Sequence, residues 1–172
     1  MATSAQLAEW RSCPRCLTPL EHGEGSVTCP SCGLEVHANP APTVSALIRD
    51  DRGRILLARR AIEPGAGLWD LLGGFMDEDE EPLETLRREL REETGLAVEP
   101  GEFLGGLPDR YGEGGNATVN FYWAARAGPG EPRPADDVAE LAWFPADALP
   151  AKDEFAFANT VELLERVGAT FV

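Results

Sequence analysis

The chain has 172 residues, 43% of them hydrophobic, enough for one ordinary domain or a domain plus a small module. Thirty acidic residues against fifteen basic ones leave a net charge of −15. That balance argues against general nucleic-acid or anionic-membrane binding, which need a basic surface, and is compatible with divalent cations. No apolar run reaches the roughly 18 residues of a membrane span. The opening MATSAQLAEWRSC has no apolar leader-like stretch. The expected compartment is therefore the cytosol, where thiols stay reduced.

The first recognisable elements are two Cys-x-x-Cys pairs, Cys13/Cys16 and Cys29/Cys32, twelve residues apart. Four thiolates on two facing turns suit tetrahedral zinc. Pro14 and Pro30 fix φ just after the first ligand of each pair. The intervening LTPLEHGEGSVT is expected to form a hairpin turning near Gly23 to Gly25. A dithiol redox site would need only one pair beside a βαβ unit, and structural disulfides would suit a secreted chain, so a zinc ribbon is the preferred reading. Four thiolates close the coordination sphere, making the zinc structural. His22 and His37 read as surface residues. Residues 1–38 carry a net −2, a poor phosphate-binding surface. The ribbon is expected to pack on the main domain or a second subunit, so a homodimer is one expected assembly.

A linker, HANPAP at 37–42, is expected to separate the ribbon (1–38) from a main domain (39–172). TVSALI (43–48) reads as a strand, DDRG as a turn and RILLARR (54–60) as the hairpin partner. Residues 78–95 form the clearest helix: Pro82 suits the first turn, acids crowd the positive end of the dipole, Leu83, Leu86 and Leu90 make one apolar stripe, and Gly95 suits the C-cap. Strands are expected at 116–127 and 138–145, and an amphipathic helix at 156–168. The pattern is mixed α and β.

The helix holds more acid than stability explains. Glu89, Glu92 and Glu93 stand at i, i+3 and i+4, so they share one face and repel by a few tenths of a kcal/mol per pair. Arg88 offsets part of this through Glu92. Such a cluster suits a hard cation, Mg²⁺ or Mn²⁺. Upstream, Gly73 and Gly74 permit close backbone approach, and Glu80 precedes the helix.

Residues 74–96, GFMDEDEEPLETLRRELREETGL, resemble the signature of the Nudix hydrolase family, G-x5-E-x7-R-E-U-x-E-E-x-G-U with U aliphatic. Gly74, Glu80, Arg88, Glu89, Leu90, Glu92, Glu93, Gly95 and Leu96 fill all nine positions. The resemblance implies an α/β/α sandwich around a mixed sheet. It also implies divalent-metal hydrolysis of a nucleoside diphosphate linked to another group. Glu92 and Glu93 would be metal ligands, Glu89 a third ligand or the general base, and Arg88 would orient Glu89. Glu80 would sit near the metal, and Gly73 would offer it a carbonyl. The metal neutralises diphosphate charge and lowers the pKa of a bound water toward 7.

One further acid is expected outside the helix. Glu140 is the first candidate, with Asp109, Glu113, Asp136 and Asp137 behind it. Arg59 and Arg60 are candidate phosphate contacts and Tyr111 a candidate stacking residue. Ribbon plus Nudix box is similar to the layout of bacterial NADH pyrophosphatases, but their SQPWPFP motif is replaced here by GGLPDRYGEGG at 105–115. The expected substrate is therefore ADP-ribose-like or a nucleotide sugar, with NADH or NAD as the alternative. A non-catalytic nucleotide sensor is the alternative of another class, though the box keeps every acid.

Overall fold

A computed structural model describes residues 6–112 and 115–172. Three short strands, β1 (Glu21–His22), β2 (Ser26–Thr28) and β3 (Glu35–His37), form an antiparallel sheet next to the cysteines. The expected turn is there: Gly23 N donates to Ser26 O at 2.9 Å, and Gly25 takes a φ of 73°. β3 ends at His37, where the linker was expected to begin.

The remaining strands build one mixed sheet. They are β4 (Ala41–Arg49), β5 (Ile55–Arg60), β6 (Trp69–Asp70), β7 (Leu72–Phe75), β8 (Val98–Arg110), β9 (Ala117–Ala127) and β10 (Val138–Phe144). The order is β10-β5-β4-β9-β8, with β4 parallel to β9 and the other pairs antiparallel. The predicted β4–β5 hairpin exists, but its register pairs Arg49 with Ile55. Beyond that point β7 takes the edge of β4 from Thr43 to Ala46, while β6 pairs with β5. This insertion lays Gly73 and Gly74 beside β4. β6, β7 and β8 were not expected as strands.

Helix α1 (Pro82–Thr94) covers one face and α2 (Ala158–Arg166) the other. Side-chain alternation sorts the core into two halves. Val44, Ala46, Ile48, Leu56 and Ala58 face Leu86 and Leu90 of α1. Leu47, Ile55 and Leu57 face Leu163 and Leu164 of α2. Leu86 and Leu90 are fully buried, each contributing roughly 1.5–3 kcal/mol of transfer free energy. The α/β/α sandwich expected from the sequence is the observed architecture. α1 starts four residues later than predicted because Pro82 takes its first position and Glu81 closes a capping box with Glu84. Gly95, at φ 70°, ends it through a bond from its N–H to Arg91 O. No helix among the described residues is long and apolar enough to cross a membrane.

Candidate functional site

The four cysteines converge. Their sulfurs all lie within 4.8 Å of one another, with Cys13–Cys32 at 3.6 Å and Cys16–Cys29 at 3.5 Å. Sulfurs around a zinc with ~2.3 Å bonds would stand about 3.8 Å apart, so this group fits such an ion, whereas a disulfide would bring two of them to ~2 Å. The two turns repeat one design. Leu17 N donates to Cys13 O and Gly33 N to Cys29 O, with φ of 63° and 72° at Leu17 and Gly33. Both positions are left-handed, which suits Gly33 and strains Leu17.

The second group is built where α1 meets β7. Glu93 is buried, and its Oε2 accepts the Gly73 N–H at 2.9 Å. A Cβ on Gly73 would stand 2.0 Å from Val44 O, and one on Gly74 2.4 Å from the Glu89 carboxyl carbon. Only hydrogen at these two positions lets the strand pack against β4 and Glu89 together. Burial, followed by the charges of Asp137 and Glu89, pushes the Glu93 carboxyl well above its ordinary range. Glu89 is raised as well, by burial first and by Glu92 and Asp137, against the pull of Arg88.

Arg88 ties the box together. Its Nε and Nη2 reach Glu80 Oε1 and Oε2 at 2.8 Å each, its Nη1 reaches Glu89 at 2.7 Å, and Glu92 lies 3.3 Å away. The Arg88 fork and the Thr85 hydroxyl hold the Glu80 carboxyl at about 2. Glu80 is thus engaged by Arg88. Among the described residues, the cysteines are the one group of three or more metal-ligating side chains whose ligand atoms gather within 4.8 Å. The helix carboxylates are engaged instead by protein donors, Glu80, Glu89 and Glu92 by Arg88 and Glu93 by Gly73 N.

The loop before β10 closes the site. Ala135 N donates to Glu93 O at 3.1 Å, and Ala61 N to Asp137 O at 2.7 Å. Asp136 takes a φ of 55° between them, and Asp137 lines the same cleft as Gly73 and Gly74. Glu140, the first candidate from the sequence, is exposed on β10, pairs with Arg59 at 3.0 Å and does not line that cleft. Arg59 in turn stacks on Trp69 at 4.3 Å. Glu113 lies outside the described residues.

A cleft runs from Gly73 and Gly74 past Asp137 to Arg60, Tyr111 and Phe157. Arg60 and Tyr111, both candidates from the sequence, line it; Arg59 does not. Tyr111 stacks on Phe157 at 5.7 Å and meets Phe75 edge-on at 5.0 Å. Arg60 lies over the Phe157 ring and donates to Tyr111 Oη at 3.2 Å. Asp70, Asp109, Asn120 and Asn159 complete the wall. Desolvation pushes the Asp70 carboxyl up to about 6 despite bonds from Thr160 Oγ1 and Leu71 N. Asp70, Phe75 and Phe157 do not stand out in the sequence, because nothing in their own segments marks them as cleft residues.

A NUDIX domain model matches residues 39–164. The chain belongs to the NUDIX domain family. Among its curated relatives is the NAD-capped RNA hydrolase NudC of Stutzerimonas stutzeri, 27% identical over 156 residues, which cover 86% of this chain and 54% of that protein. The chain thus spans about half the length of the curated relatives it first matches. A MutT NUDIX hydrolase structure from Burkholderia pseudomallei superposes with a TM-score of 0.67 at 34% identity, covering 75% of this chain and 98% of that one. The NUDIX domain of NrtR from Shewanella oneidensis, solved with ADP-ribose, gives 0.59 at 25% identity, covering 75% and 86%.

Proposed function

We propose that the chain hydrolyses the diphosphate linkage of a nucleoside diphosphate derivative, with ADP-ribose-like compounds and nucleotide sugars as first candidates. The observation that carries this reading is that Glu93 bonds Gly73 N and Glu89 abuts Gly74, so the α1 carboxylates stand against the glycines of the cleft that Asp137 also lines. Like charges drawn out of water are costly and are stabilised by a cation, and oxygen donors suit Mg²⁺ or Mn²⁺. When bound, that cation supplies charge neutralisation on the diphosphate and a more acidic water.

In this reading Glu92 and Glu93 are metal ligands and Gly73 offers its carbonyl. Glu89 is a third ligand or takes the proton from the attacking water, a role worth roughly 10²- to 10⁴-fold. Arg88 positions Glu89, and Glu80 positions Arg88. The further acid is assigned to Asp137 in preference to Glu140, whose carboxylate is engaged with Arg59. Arg60 and Tyr111 contact substrate. Zn²⁺ on Cys13, Cys16, Cys29 and Cys32 is structural and stabilises a 1–38 unit too small to hold a core alone.

A second reading, cleavage of the diphosphate in NADH or NAD, is favoured by those curated relatives that are named NAD-capped RNA hydrolases.

The test is a substrate panel with Mg²⁺ and Mn²⁺: ADP-ribose, nucleotide sugars, NADH, NAD, diadenosine polyphosphates and nucleoside triphosphates, with Glu93→Gln as control. The expected outcome is metal-dependent cleavage of one class, reduced at least roughly 10²-fold in the control. Tight nucleotide binding without cleavage of any compound would replace this reading with that of a sensor.

A further inference from the structure

The far wall of the cleft has a marked imbalance of hydrogen-bonding groups. Its cation, Arg60, uses two donors within the protein: Nε donates to Pro64 O at 2.7 Å and Nη2 to Tyr111 Oη. Its acceptors are less fully engaged. Asn159 is 6% exposed, lines the cleft, and its buried Oδ1 has no hydrogen-bond partner among the described residues. Asn120 is less one-sided: its Nδ2 donates to Ser45 Oγ at 2.9 Å and its buried Oδ1 has no partner, but the buried Tyr122 hydroxyl beside it is a donor also without one. Asp70 and Asp109 add two carboxylates. Asp70 takes its bonds on Oδ1. Asp109 accepts Asn159 N at 3.2 Å on Oδ2 and Arg110 N at 2.7 Å on Oδ1, and each oxygen keeps a second lone pair. Buried acceptors without donors are costly, and a ligand bearing N–H groups removes that cost. The neighbouring Phe75, Tyr111 and Phe157 present ring surface, which suits a flat ligand.

Resting on the hydrolase reading, we propose that this wall is a subsite for the nucleobase and selects bases with an exocyclic amine, rejecting uracil. Adenine presents its N6 amine, and guanine presents N1–H beside its N2 amine. Uracil presents one N–H flanked by two carbonyls, which would face carboxylate and amide oxygens. A site that hydrogen-bonds a substrate donor discriminates strongly against an analogue lacking it.

The test uses the full chain with Mg²⁺ and three substrates that differ only in base: ADP-glucose, GDP-glucose and UDP-glucose. kcat/KM is expected to be at least about tenfold higher for the adenine and guanine compounds than for the uracil one. In parallel, calorimetry on Glu93→Gln compares AMP, GMP and UMP, with the same order expected in Kd. Asp109→Asn is expected to shrink the preference to within about threefold, provided its thermal melt matches wild type. The comparison in the unmodified chain does not depend on that variant. Equal cleavage of all three sugars would overturn the base subsite and leave the hydrolase reading standing. Ordered binding with no cleavage of these three sugars or of any other compound in the substrate panel would overturn the hydrolase reading and leave the subsite. If dAMP binds at least tenfold more weakly than AMP while AMP and UMP bind alike, the acceptors serve ribose hydroxyls, and the base proposal falls.

Discussion

The Arg88 guanidinium grips Glu80 with two bonds of 2.8 Å, one from Nε and one from Nη2, and turns its remaining nitrogen to Glu89. A planar fork can serve both carboxylates at once, and a lysine ammonium cannot. Arg88→Lys is therefore expected to lower kcat by roughly 10- to 100-fold, the usual cost of losing a group that orients a ligand. Circular dichroism should show the fold retained. Unchanged kcat would mean that Glu89 holds its position without the fork.

The adjacent glycines should respond differently to the same methyl. In Gly73→Ala the new carbon meets backbone, 2.0 Å from Val44 O, at a φ of 142°. Neither strand can yield without breaking the sheet. Urea unfolding should show a loss of at least about 2 kcal/mol. In Gly74→Ala the obstacle is the end of the Glu89 side chain, which can swing away. That variant should stay folded and lose at least about tenfold in kcat. Equal stability loss in the two variants would mean that Glu89 yields no more readily than the β4 backbone.

Cys29→Ser removes one of four converging sulfurs. Zinc content, expected at one per chain in the wild type, should fall to well below one. Limited proteolysis should become rapid within residues 1–38, because the metal supplies that segment's folding energy. Zinc remaining at one per chain would eliminate the ribbon.

Asp70 sets a pH dependence of stability. Its carboxyl titrates near 6 in the folded protein against an ordinary 3.8, because it is desolvated. Between those values the folded state holds more protons than the unfolded one, so stability falls as pH rises. The difference corresponds to about 2–3 kcal/mol, present below pH 4 and lost by pH 7. Asp70→Asn cannot ionise. Its stability relative to wild type, measured by urea unfolding with chelator present, should rise by about that amount from pH 4 to pH 7. A constant difference would show that Asp70 ionises freely.

Local spacing made much of this protein legible in advance. The cysteine pairs need only two short turns to converge. The acids of α1 share a face because i, i+3 and i+4 do so on any helix. The sandwich followed from the resemblance carried by those nine box positions. β8 was not legible because Pro100, Gly101, Gly105, Gly106 and Pro108 read as loop. It is an edge strand, bulged near Phe103, and the edge of a sheet tolerates such residues.

The sequence by itself determined which side chains stand together within one turn or one helix, since fixed backbone periods decide that. Only the tertiary structure decided which acids from other segments line the cleft beside them. Glu140 and Asp137 are three residues apart, yet strand pairing sets Glu140 opposite Arg59, while Asp137 lines the cleft with Gly73 and Gly74. The cleft wall likewise draws Asp70, Asp109, Asn120 and Asn159 from β6, β8, β9 and α2. Their meeting depends on sheet order and register, which arise from long-range packing and leave no period in the chain.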